Sequence, residues 1–179
     1  MNAARSSRPR GFSLLEVLIA LVVLSIGLLG VAAMQASALS STGGSQVESM
    51  VVMEAKSLAD AMVANSAYWA SGTQPPVVTI AAPTSGTTPV ITGLSASSTD
   101  CTASACTASQ VAGYDVQNWG KQLLTQVPGA GASVKCVAGA PVACTIVITW
   151  SQKSAAAVNS GTGNATASTS QSYTLVNQI

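Results

Sequence analysis

The sequence predicts an α+β protein. One long N-terminal helix, membrane-spanning and then amphipathic, packs on a small head built on an antiparallel sheet. Residues 12–39 are an apolar run in which Glu16 is the only ionisable side chain. Apolar residues then recur at helical spacing at Val47, Val51, Leu58 and Met62, with Ala55 between them. Further on, two runs rich in β-branched residues, 132–137 and 143–150, flank Gly139-Ala140-Pro141, the pattern of a hairpin.

The first element is set by length and charge. As a helix rising about 1.5 Å per residue, residues 12–39 reach roughly 42 Å, more than the ~30 Å core of a bilayer. Arg5, Arg8 and Arg10 precede the run and no acid accompanies them. That asymmetry keeps the N-terminus in the cytoplasm and exports the rest. Glu16 is the anomaly, because a carboxylate in hydrocarbon costs several kcal/mol unless it is neutralised, paired or drawn to the surface. A plain signal anchor gives Glu16 no task. Nor does a cleavable secretory signal ending at Ala36-Ser37-Ala38.

The amphipathic half, 40–68, follows, with a bend or break expected at Gly43-Gly44. Glu48, Ser49, Lys56, Ser57 and Asp60 fall mostly off the apolar stripe. Met50, Met53 and Met62 read as packing residues and not as cofactor ligands. Residues 71–100 are rich in Ser, Thr, Pro and Gly and read as surface loops, with short strands at 77–80 and 89–92. A second helix is expected over 109–127, capped by Ser109 and ended by Pro128-Gly129. Its apolar face is Tyr114, Trp119, Leu123, Leu124 and Val127, and Gly113 and Gly120 weaken it. Residues 154–170 read as a flexible loop and 171–177 as a final strand.

Composition narrows the function. Only 7% of the 179 residues are charged and 48% are hydrophobic, against about a quarter charged in ordinary soluble domains. Beyond Gly11 there are four lysines and six acids, a net of 4 − 6 = −2. A weakly acidic head is a poor ligand for nucleic acid phosphates, so no nucleic acid partner is expected. There is no histidine, which removes Ser-His-Asp and Cys-His catalysis. Asp100 and Asp115 read as helix-start and surface groups, no phosphate loop or metal spacing is present, and no enzyme activity or cofactor is expected. Asn164-Ala165-Thr166 fits a glycosylation triplet by chance in a Thr-rich loop.

Four cysteines lie in the second half, and their even number points to two disulfides in an oxidising compartment. Cys101–Cys106 and Cys136–Cys144 are favoured because each closes a short local loop, with a crossed pairing as the alternative. A four-thiolate zinc site would ordinarily show two-residue knuckles, which the gaps of four and seven residues do not supply.

Gly11-Phe12-Ser13-Leu14-Leu15-Glu16, after a short basic leader and before an apolar helix, resembles the class III signal of type IV pilins and type II secretion pseudopilins. The resemblance implies a pilin-like fold and cleavage after Gly11 by a membrane prepilin peptidase, which then N-methylates Phe12. It implies that Glu16 pairs with the Phe12 amine of a neighbouring subunit during filament assembly. The chain then divides into a leader (1–11), a transmembrane and assembly segment (12–39), an amphipathic half-helix (40–68) and an exported head (69–179). The expected location is the inner membrane, with the head in the periplasm, and later the pilus at the cell surface. Within the head, Tyr114-Asp115 with Trp119, Leu123-Leu124, Val127-Pro128-Gly129, the cysteine hairpin and Ile148-Thr149-Trp150 resemble minor pilins of the PilV type. That resemblance implies work with other minor pilins and the major pilin in pilus assembly or priming, adhesion and twitching motility. One departure is plain. Many major pilins carry a proline within the apolar segment, and none lies between Phe12 and Tyr68 here.

Overall fold

A computed structural model describes residues 12–95, 99–153 and 168–179. The leader with Arg5, Arg8, Arg10 and Gly11, and the Asn164 triplet with most of the expected 154–170 loop, lie outside the described residues. The chain forms two units, residues 1–42 and 43–179.

The first unit is the N-terminal part of helix α1 (Leu14–Ala64). Its side chains through Leu39 are apolar all round and exposed all round, the pattern of a helix whose surroundings are themselves apolar. By length and composition this segment is able to cross a membrane.

The second unit is the head. It begins with Gly43–Ala64 of α1, which stays helical through Gly43-Gly44, so the expected break does not occur. Two glycines weaken a helix by about 1 kcal/mol each, which the packing of the following turns outweighs. Val51, Ala55, Leu58 and Met62 are buried and Val47 is partly so, the stripe read from the sequence. A single turn, α2 (Ser66–Trp69), follows and buries Trp69.

The sheet is five-stranded and antiparallel throughout, in the order β2-β1-β3-β4-β5. The strands are β1 (Val78–Ala81), β2 (Val90–Thr92), β3 (Gly131–Val137), β4 (Ala143–Lys153) and β5 (Ser168–Gln178). Strand β5 is longer than expected and takes in residues assigned to the preceding loop. Alternation decides the faces. Ala132, Val134, Ile146, Ile148 and Trp150 are buried, while their neighbours Lys135, Thr149 and Ser151 are exposed and Ser133, Thr145 and Val147 half-buried.

Helix α3 (Ala108–Gln126) closes the core. Its cap is Thr107, not Ser109. The Thr107 hydroxyl accepts from the Gln110 backbone N–H while the Gln110 side chain accepts from the Thr107 N–H. That reciprocal arrangement satisfies two orphan donors, which a Ser109 cap would leave open. The buried line is Ala112, Val116, Trp119 and Leu123, whereas Tyr114 and Leu124 are only half-buried. Gly120 belongs to this face. A Cβ there would stand 2.9 Å from Ile80 Cγ2 and 3.2 Å from Pro89 Cγ. The glycine that weakens the helix on propensity is therefore what lets α3 approach β1.

Candidate functional site

The N-terminal site is built by one helix start. Ser13 stands just ahead of α1, and its carbonyl accepts from the N–H groups of Glu16 (3.0 Å) and Val17 (3.3 Å). Its hydroxyl accepts from the Leu15 N–H at 3.3 Å. Ser13 thus acts as the N-cap, and Glu16 falls in the first turn. A carboxylate there faces the positive end of the helix dipole. Phe12 lies just outside the helix and is 83% exposed, and Glu16 is exposed beside it. Among the described residues no side-chain bond joins the two. Gly11, the other half of the expected cut, lies outside the described residues.

The described side chains of residues 12–39 are all exposed. What this unit presents is therefore a chain of apolar surface with a single carboxylate near its start. Chemically it is able to do two things: enter an apolar medium, and offer one negative charge to one positive partner.

A second polar locus lies inside the head and was missed in the sequence. Glu54 is 3% exposed. Its Oε1 accepts from Gln122 Nε2 at 3.0 Å and Gln126 Nε2 at 2.8 Å, and its backbone carbonyl accepts from Trp119 Nε1 at 2.9 Å. Its Oε2 is buried and has no hydrogen-bond partner among the described residues. Three side chains one turn apart on α3 thus grip one residue of α1. The signal was present in the spacing. Glu54 follows Val51 by three positions and precedes Leu58 by four, so it sits on the apolar stripe itself. Asn65 makes a second tie, donating from Nδ2 to the Ala108 carbonyl at 2.8 Å. Asn177 makes a third, donating to the Ala59 carbonyl at 3.2 Å. These polar bonds fix where the end of α1 lies on the head.

The cysteines form two bridges, Cys101–Cys106 and Cys136–Cys144. The first closes the loop just before the Thr107 cap. The second joins directly opposed residues of β3 and β4 with Cα atoms 4.0 Å apart. That spacing is the short one of an antiparallel ladder, found where opposed residues do not hydrogen-bond each other.

Asp100 and Asp115 are placed on separate elements and have opposite surroundings. The Thr102 hydroxyl and backbone N–H donate to Asp100 Oδ1 and hold its carboxyl below the usual range. Burial pushes Asp115 up, and it pushes the Tyr68 phenol up as well. Among the described residues no group of three or more His, Cys, Asp or Glu is placed to hold a metal ion.

Residues 6–32 match a family described as the prokaryotic N-terminal methylation motif. The match takes in Arg8 and Arg10 of the leader, Gly11, Phe12, Glu16 and the first turns of α1. It supports a type IV pilin-like or pseudopilin precursor, a structural protein anchored by its N-terminal helix. No curated protein and no solved structure matches the chain.

Proposed function

We propose that the chain is the precursor of a minor type IV pilin of the PilV type. It acts in pilus assembly or priming together with other minor pilins and the major pilin, and serves adhesion and twitching motility. The leader is residues 1–11, the assembly segment 12–39, the amphipathic half-helix 40–68 and the exported head 69–179. A prepilin peptidase cuts between Gly11 and Phe12 and N-methylates Phe12 at the inner membrane.

The observation that carries this reading is the coincidence of the matched motif with Glu16 in the first turn of α1. Cleavage after Gly11 creates a cationic amine four residues ahead of Glu16. In an apolar setting neither charge is stable alone. A pair there fixes register more than it adds net stability, and removing one partner costs about 3–5 kcal/mol. A neighbouring subunit's Phe12 amine is the partner of Glu16 in this reading.

Glu16→Ala tests it. The variant should insert and be processed as the wild type is, yet be depleted from sheared filaments. Wild-type incorporation of the variant would remove Glu16 from assembly. The second reading is a minor pseudopilin of type II secretion, favoured by the same motif, which does not distinguish the two systems. Deletion of the gene separates them, with loss of piliation in the first case and loss of exoprotein secretion in the second.

A further inference from the structure

The start of α1 falls beside the expected cut. The helix begins at Leu14, so only Phe12 and Ser13 separate it from the Gly11–Phe12 bond. Lengthening an existing helix adds one hydrogen bond per residue and needs no new nucleus. Gly11 and Phe12 oppose such growth only modestly. A 51-residue helix is therefore free to grow upstream unless its end is capped. Growth would use two particular donors, because each N–H in an α-helix bonds to the carbonyl four residues before it. The Glu16 N–H would go to the Phe12 carbonyl, and the Leu15 N–H to the Gly11 carbonyl.

Ser13 takes both donors. Its backbone carbonyl accepts from the Glu16 N–H at 3.0 Å, and its hydroxyl accepts from the Leu15 N–H at 3.3 Å. Phe12 stands outside the helix with its side chain exposed. The Gly11 carbonyl is the group that a peptidase attacks to cut at this bond. In that hydrolysis water adds its oxygen to the carbonyl carbon and the C–N bond to Phe12 breaks. Gly11 leaves as a carboxylate, and the Phe12 nitrogen takes up the proton as the new amine. A carbonyl oxygen held inside a helix is not free to be polarised for that attack. Nor is a helical backbone the extended form that peptide clefts bind.

We propose that Ser13 is a positioning residue for processing. Its cap ends α1 short of the cleavage bond and keeps the Gly11 carbonyl out of the helix and open to the prepilin peptidase. This rests on the precursor reading above, and it gives Ser13 a task separate from that of Glu16. The requirement is for a side chain that caps, so Thr or Asn serves at this position and Ala does not.

Cleavage of the full-length precursor in detergent by a prepilin peptidase, followed as loss of residues 1–11, tests this. Ser13→Ala should be cut about 5-fold more slowly, the population shift that a lost cap brings. Ser13→Thr and Ser13→Asn should be cut at the wild-type rate. The double variant Ser13→Ala, Leu14→Pro should recover most of the rate with no capping side chain. Proline at the first helical position holds the residue before it out of the helix. That recovery separates a helix end from a direct contact between the Ser13 hydroxyl and the peptidase. In the uncut precursor, the Phe12 Cα chemical shift should read extended and should move toward helix in Ser13→Ala. An alanine variant cut at the wild-type rate, a double variant no faster than Ser13→Ala, or an unmoved Phe12 shift would each overturn this inference alone. A wild-type precursor left uncut between Gly11 and Phe12 would overturn the precursor reading and this inference together.

Discussion

Glu54 shows how one residue ties a helix to a head. Its carboxylate oxygen serves two glutamine amides, and Glu54→Ala removes the acceptor of both, whose own side chains are exposed. Each hydrogen bond so lost contributes about 0.5–1.5 kcal/mol net. Glu54→Ala should lower head stability by about 1–3 kcal/mol in denaturant titration, and Glu54→Gln should cost less because it keeps the shape and one acceptor. An unchanged midpoint for the alanine variant would show the grip to be incidental. The two aspartates should separate in a titration followed by nuclear magnetic resonance. Asp100 should titrate below the ordinary value near ~3.9 and Asp115 above it. The signs differ accordingly. Asp100 contributes stability that is present above its unfolded value and lost as pH falls through its folded one. Asp115 contributes stability present below its unfolded value and lost as pH rises through its folded one. Coincident midpoints would contradict both placements.

At the scale of elements, the bridges and the α3 cap are the parts most open to test. Reduction should destabilise the head, each bridge contributing somewhat under the ~3 kcal/mol of a 15-residue loop. The loss should appear as a lower melting temperature in reductant, with the N-terminal helix still inserted in membranes. Thr107→Ala should cost about 1 kcal/mol, whereas Ser109→Ala should cost little because the cap is elsewhere. The sequence reading placed α1, α3 and all five strands near their positions because their apolar periods are strong. It erred where two local signals competed. Ser109 and Thr107 are both good caps, and only the Gln110 side chain folding back on Thr107 decides between them. Gly43-Gly44 looked like a break because propensity acts locally, while the packing of Val51 and Leu58 that keeps the following turns helical is non-local. The place of Glu54 on the apolar stripe was in the spacing, but its partners were not. They lie 65 to 72 residues away on α3, and no local pattern announces them.

For the whole molecule, the division of labour follows from where charge and apolar surface are placed. The N-terminal half of α1 exposes apolar side chains with one carboxylate at its start. The head instead gathers Val51, Leu58, Trp119, Ile146, Ile148 and their neighbours into one core beneath a polar sheet face. The long apolar helix was legible from residues 12–39, because length and apolar composition are local properties of the chain. The strand order of the sheet was not legible, because it rests on pairing between strands far apart in the chain. The most direct measurement is the mass of the N-terminal peptide of the protein recovered from membranes. The result expected is a chain beginning at Phe12 with one added methyl group on its amine. A chain beginning at Leu39, or an intact Met1, would contradict the reading of Glu16 as a partner for a new N-terminus.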